Sequence, residues 1–194
     1  MAGLLDKVKI PEDRFELRLS GSGGQGMILA AVILGEAIGT HDNRNVTQSQ
    51  SYGPEARGGA CSANVVISEE KVAYPTVSRP DVLVLMSQEA YHTYKKDLRE
   101  GIQVLYDSDL VQVEPGLPGH WVACPAMKLA EETGKKVVAN IVMLGFFASV
   151  TGMLPKDAVK EAVLTSVPAH TKDLNAKAFD AGYEAGLKVK GKGG

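Results

Sequence analysis

The chain has 194 residues, with 21 basic and 23 acidic side chains and a formal net charge of −2. Hydrophobic residues make up 44% and charged residues 23%, which excludes wholesale disorder and allows one buried core. The near-neutral balance and a pI near 6.1 argue against a general nucleic-acid binder, which carries an excess of Lys and Arg.

In chain order, Arg14 to Leu19 alternates charged Arg14, Glu16 and Arg18 with apolar Phe15, Leu17 and Leu19, predicting a strand with one wet face. A glycine loop follows, and then Met27 to Ile38, apolar nearly all round and so predicted to be a buried helix, with Gly39 as its C-cap. Asn45 to Ser51 reads as a polar strand that stays out of the deep core. Ala60 to Ser68 and Lys71 to Tyr74 read as a hairpin turning at Glu69-Glu70. Asp81 to Met86 is a buried strand with a helix, Gln88 to Leu98, directly after it. Ile102 to Asp107 and His120 to Cys124 are further strands. The helices Ala126 to Thr133, Asn140 to Thr151, Lys156 to Leu164 and Lys172 to Lys188 complete the chain, with Pro125, Pro155 and Pro168 at helix starts. The expected fold is α/β: a single layered domain with a mostly parallel sheet flanked by helices, plus a β-hairpin and a helical C-terminal part. Residues 1–13 are expected to form an N-terminal extension, 14–187 the domain and 188–194 a flexible tail.

The two cysteines, Cys61 and Cys124, form no CxxC, so the chain alone builds neither a zinc site nor a four-cysteine iron–sulfur cluster. They are expected to be buried thiols in a reducing cytoplasm. Charges at Asp6, Lys7 and Lys9 interrupt any apolar leader, and Ile141 to Leu154 falls short of the roughly 18 apolar residues of a membrane span. The four histidines have no metal-binding spacing and read as surface residues. Met27 to Ile38 and Ile141 to Val150 are so apolar that they are expected to leave a surface for a partner.

Two loops carry chemical information. Gly21-Ser22-Gly23-Gly24-Gln25-Gly26 fits G-x-G-x-x-G between a strand and a helix, where glycines permit close backbone approach and helix-start amides attract oxyanions. A dinucleotide site also needs a carboxylate about 20 residues later, at the end of the second strand. Here that strand ends Gln48-Ser-Gln-Ser-Tyr52, and Asp42 precedes it, so a nicotinamide dinucleotide loses support. The alternative is that these glycines serve helix–strand packing alone. In the second loop, Tyr52 to Gly59, Arg57 with the Gly58 and Gly59 amides could clamp an anion. Equally, Arg57 could pair with Glu55 or another carboxylate and only shape the loop.

Taken together, Leu19-Ser-Gly-Ser-Gly-Gly-Gln-Gly26, Gln48-Ser-Gln-Ser-Tyr-Gly-Pro-Glu-Ala-Arg-Gly-Gly59 and Arg79-Pro-Asp-Val-Leu-Val-Leu-Met-Ser-Gln-Glu-Ala-Tyr91 resemble the gamma subunit of 2-oxoacid:ferredoxin oxidoreductases. The wording of the second loop is most like the 2-oxoglutarate type, and the similarity spans roughly Arg14 to Leu187. The resemblance implies a multi-subunit enzyme that converts a 2-oxoacid and coenzyme A to acyl-CoA and CO2 and reduces ferredoxin. It implies thiamine diphosphate on alpha and beta subunits and iron–sulfur clusters on beta or a delta subunit. For this chain it implies assembly with those subunits and a share in binding coenzyme A. Gly21 to Gly26 and Arg57, Gly58 and Gly59 are the candidate residues, with no catalytic residue and no metal ligand. Two other readings stay open: a free-standing Rossmann-like nucleotide binder, and a purely structural assembly subunit.

Overall fold

In the computed structural model, which describes residues 14–42, 44–52, 59–72 and 74–192, everything is arranged around the strand that precedes the glycine loop. This strand, β1 (Phe15–Ser22), sits third in a six-stranded sheet of order β2-β3-β1-β4-β5-β6. The other strands are β2 (Asn45–Tyr52), β3 (Ala60–Ser68), β4 (Val82–Leu85), β5 (Gln103–Asp107) and β6 (His120–Cys124). β1, β4, β5 and β6 are parallel, while β3 runs antiparallel to both β1 and β2. The helices are α1 (Met27–His41), α2 (Gln88–Tyr94), α3 (Ala126–Thr133), α4 (Ala139–Thr151), α5 (Lys156–Ser166) and α6 (Lys172–Lys192). The expected layered α/β architecture is the observed one.

One sheet face, carrying Leu17, Leu19, Val82, Val84, Leu105 and Val122, packs into a large core with α1 and α3 to α6. The opposite face sends Leu83, Leu85 and Val104 into a smaller core with Ala90 and Tyr91 of α2. The alternation of the strands thus feeds two cores, one on each side. No helix among the described residues is long and apolar enough to cross a membrane.

Several local expectations are corrected. The charged face of β1 is not wet: Glu16 and Arg18 are only 7% and 8% exposed. Arg18 donates to Asn64 Oδ1 (3.0 Å), to Asp97 and to the Val77 carbonyl, and its guanidinium lies 4.7 Å over the Tyr94 ring. Glu16 accepts from the amides of Ser78 (3.0 Å) and Arg79 (2.9 Å) and from Arg14 Nε (2.7 Å). Alternation reports only that one face is polar; it does not distinguish water from a fully paired interior.

The hairpin partner of β3 is β2, in register from Asn45 opposite Ser68 to Tyr52 opposite Cys61, and Lys71, Val72 and Tyr74 lie outside any strand. The connection after β3 is held instead by side chains at the start of β1: Arg14, just before it, binds the carbonyls of Tyr74 and Thr76, and Glu16 the amides beyond. Helix α1 passes through Gly39 to His41, because the Asp42 amide completes the last turn on the Ile38 carbonyl. At the C-terminus α6 stays helical to Lys192, four residues past the predicted end at Lys188, and Val189 packs against the core.

The expected partner surface on Ile141 to Val150 is also corrected, since every residue of α4 is buried within the chain itself. Helix α6 covers it at backbone contact. A Cβ on Gly145 would overlap the Phe179 carbonyl oxygen, and one on Gly182 the Val142 carbonyl oxygen. On α1 only Leu29 (38%) and Val32 (40%) are exposed among its large apolar residues.

Gly182→Ala should therefore lower the melting temperature, because overpacking costs about 1–3 kcal/mol, or roughly 2–4 °C for each kcal/mol at this size. Gly191→Ala, where an added methyl meets nothing within 4 Å, should leave it unchanged or slightly raised. Thermal unfolding followed by circular dichroism compares the two.

Candidate functional site

The glycine loop lies where the chain topology leaves a gap. From β1 the chain enters α1 on the large-core face, while from the neighbouring parallel strand β4 it enters α2 on the other face. The carboxyl ends of β1 and β4 thus flank a switch point, the place in α/β sheets where a crevice opens.

The loop residues divide their tasks. The Gln25 side chain spans the crevice: its Oε1 accepts from the Ser22 amide (2.7 Å), and its Nε2 donates to the Met86 carbonyl at the end of β4 (2.8 Å). A Cβ on Gly21 would overlap that Oε1. Gly26 is left-handed (φ 74°) and caps α1, and its carbonyl accepts from Asn140 Nδ2 of α4 (3.2 Å). A Cβ there would collide with the Asn140 amide, so Gly21 and Gly26 answer to packing. Gly23 and Gly24 differ: a Cβ on either would meet nothing within 4 Å. Their backbone faces open space beside the start of α1, whose first turn has neither a side-chain cap nor an acidic residue. Uncapped helix-start amides favour anions.

The β4 side contributes a carboxylate that the motif analysis missed. Ser87 caps α2 by accepting from the Ala90 amide (3.1 Å), and Glu89 in its first turn accepts from Ser22 Oγ (2.9 Å). The Ser22 hydroxyl, followed by Glu89's own backbone and the Ser87 hydroxyl, holds this carboxyl below the usual glutamate range. Glu89 lies 67 positions from Ser22. Its available signal was its place just past the most apolar strand. Among the described residues no acid stands at the end of β2, and β3 intervenes between β1 and β2, so the paired strands of a dinucleotide fold do not form.

Arg57 and Gly58 lie outside the described residues. Gly59 directly precedes β3, whose Ala60 pairs with Ser22 in the antiparallel register, so Gly59 and the glycine loop meet at one sheet edge. Along the same edge an open cleft of about 700 Å³ is lined by Gln88, His92, Asp109 and Glu114. Its rim is fixed by Gln88, whose side-chain oxygen accepts from the Gln112 amide at 2.7 Å.

At the end of β5, fully buried Asp107 accepts from the amides of Asp109 and Met127 (2.9 Å each), tying this loop to the start of α3. Burial pushes its carboxyl up to about 6. The unfolded chain, with an ordinary carboxyl near 4, gives up this proton at lower pH than the folded one. Stability from this group is complete below pH 4 and declines as pH rises through 6. Asp107→Asn, which cannot ionise, should be less stable because it accepts one hydrogen bond fewer. It should also lose that decline, as urea titrations between pH 4 and 7 will show.

Residues 16–185 match the family described as pyruvate ferredoxin/flavodoxin oxidoreductase. The 2-oxoglutarate synthase subunit KorC of Methanocaldococcus jannaschii is 49% identical over 179 residues, covering 91% of this chain and 96% of that protein. The gamma subunit of a keto/oxoacid ferredoxin oxidoreductase from Geobacter sulfurreducens PCA has a TM-score of 0.81 at 43% identity, covering 90% of this chain and 97% of its own. A 2-oxoglutarate:ferredoxin oxidoreductase from Magnetococcus marinus shares the fold, with a TM-score of 0.77 at 23% identity over 92% of this chain and 32% of its own. With sequence and fold agreeing over nearly its whole length, the chain belongs to the pyruvate ferredoxin/flavodoxin oxidoreductase family, as a gamma-type subunit.

Proposed function

We propose that this chain is the gamma subunit of a 2-oxoglutarate:ferredoxin oxidoreductase, and that its part in the reaction is to help hold coenzyme A at the β1/β4 crevice. The complex would convert 2-oxoglutarate, coenzyme A and oxidised ferredoxin to succinyl-CoA, CO2 and reduced ferredoxin. Two KorC relatives, 49% and 44% identical, support the choice of oxoacid. The Magnetococcus enzyme is described with 2-oxoglutarate, coenzyme A and succinyl-CoA bound.

The observation that carries the reading is the open face of Gly23 and Gly24 beside the uncapped start of α1. Phosphate oxygens there would accept from backbone amides in the favourable field of the helix. Arg57 and Gly58, with Gly59, would add a charged fork and further donors from the second loop. The neighbouring cleft offers room for the rest of an extended ligand.

Redox chemistry is assigned to the partner subunits, alpha and beta with or without delta. Cys61 on β3 and Cys124 on β6 are separated by three strands, at least about 19 Å at the usual strand spacing. Both are buried, and burial pushes both thiols up, away from the thiolate that ligates iron. They cannot hold one cluster together. Thiamine diphosphate on the partner subunits supplies the carbanion chemistry of decarboxylation.

Two measurements test this. Tagged chain expressed in its native host should co-purify with thiamine-dependent subunits; failure to do so would remove the subunit reading. In the reconstituted complex, Arg57→Ala should weaken coenzyme A roughly ten- to a hundredfold, for the loss of a charge-assisted bond of about 1.5–3 kcal/mol. Arg57→Lys should recover part of that, since an ammonium lacks the bidentate fork. Steady-state kinetics with coenzyme A varied at saturating 2-oxoglutarate decide the matter. A normally assembled Arg57→Ala complex with unchanged coenzyme A dependence would make the second loop purely structural.

A further inference from the structure

The crevice is polarised, and its polarity says more about the ligand than its position does. Ser22 is the first residue of the glycine loop able to offer side-chain chemistry, yet both of its donors are already spent. Its amide goes to Gln25 Oε1 at 2.7 Å, and its hydroxyl to Glu89 Oε2 at 2.9 Å. What Ser22 still presents is lone pairs. Glu89 is exposed, and as a carboxylate it can only accept, with room for about four hydrogen bonds; Ser22 supplies one at 2.9 Å, and Glu89's own amide and the Ser87 hydroxyl also lie toward it, leaving its outer lone pairs for a ligand. The β4 side of the crevice is therefore an acceptor wall carrying negative charge. The opposite side holds the open loop at Gly23 and Gly24, where a Cβ would meet nothing within 4 Å, and the acid-free first turn of α1, whose leading amides are donors.

A phosphate set against Ser22 would face the Glu89 carboxylate and find no free donor there. At the start of α1 the same phosphate meets helix-start amide donors instead. The two sides match a ligand that carries both chemistries a few ångströms apart. Coenzyme A does, with uncharged donors both in its pantetheine arm (two amides and a hydroxyl) and in its nucleoside (ribose hydroxyl and adenine amine).

We propose that Glu89, together with the Ser22 oxygen it holds, is a ligand-facing residue. It accepts hydrogen bonds from an uncharged, donor-bearing part of coenzyme A and confines the phosphates to the amides around Gly23 and Gly24. This rests on the coenzyme A reading above and adds the specificity of its site.

The test is equilibrium binding of coenzyme A to the assembled complex by calorimetry, without 2-oxoglutarate or ferredoxin. Glu89→Ala should raise the dissociation constant roughly ten- to a hundredfold, and Glu89→Gln, which keeps one carbonyl acceptor, less. Exposure of Glu89 makes either variant compatible with the fold. Gly23→Val, which adds a side chain in open space, should block that opposite side and weaken coenzyme A as well. Competition by pantetheine and by adenosine 3′,5′-bisphosphate then locates the contact, because at least one of them should lose affinity in Glu89→Ala. If Glu89→Ala leaves coenzyme A unchanged or tightens it while Gly23→Val weakens it, the carboxylate is not a contact and the inference is overturned alone. If the unaltered complex does not bind coenzyme A, or Gly23→Val has no effect, the reading it rests on falls with it.

Discussion

Helix α4 has no solvent side, and the placement of the other parts follows from that. All of its residues are buried, under α6, α3, α5 and α1. A helix enclosed on every side can be accommodated only where its neighbours come close, and glycines make the approach possible: Gly145 faces the Phe179 carbonyl, Gly182 the Val142 carbonyl and Gly186 the Ser149 side chain. Dense packing of this kind is a large sum of small dispersion terms and tolerates little added volume. The same helix reaches the crevice, since Asn140 in its first turn donates to the Gly26 carbonyl at the entry to α1. Movement of α4 against α6 would be felt at the glycine loop through that one amide.

On the other face of the sheet, beside the smaller apolar core, polar pairing holds the part around β1. The long connection from β3 to β4 has no strand or helix among its described residues, yet it is tied down at Tyr74, Thr76, Val77, Ser78 and Arg79 by Arg14 just before β1 and by Glu16 and Arg18 within it. Burying such charges costs solvation that pairing recovers only when every group is satisfied. Removing one partner would leave a charge uncompensated next to the core. The device orders a connection that lacks a backbone ladder of its own, and it brings Tyr94, the last residue of α2, and Asp97 just after it against β1. Helix α2 and its Glu89 are thereby held over the end of the strand that carries Ser22.

Because β1 is central and its neighbours run in opposite directions, its carboxyl end collects three segments: the glycine loop, the entry to β3 from the second loop, and the start of α2. Gln25 closes the first against the third without filling the space beyond Gly23. The framework spends its glutamine, its outer glycines and its serine donors internally and leaves two glycines beside open space, which is the pattern the proposed coenzyme A contacts rest on.

What the sequence by itself determined is the periodic part. The strand and helix positions, the two glycine-bearing loops and the family resemblance all rest on neighbours within a few residues, where side-chain period and glycine chemistry speak directly. Tertiary structure alone decided the rest. The polarity of Arg14, Glu16 and Arg18 was legible, but not that partners at positions 64, 77 to 79 and 97 would bury it. The apolar run of α4 was legible, but not that α6, across more than thirty residues, would cover it at glycine contacts. Within Gly21 to Gly26 the sequence offered packing and ligand binding as alternatives, and the folded loop assigns packing to Gly21 and Gly26 and open space to Gly23 and Gly24. Glu89 lay inside the Arg79 to Tyr91 segment of the resemblance, but nothing in that segment marked it as a site residue. It joins Ser22 only because β4 lies parallel beside β1, and hydrogen-bond pairing between strands is a long-range choice that no local pattern encodes.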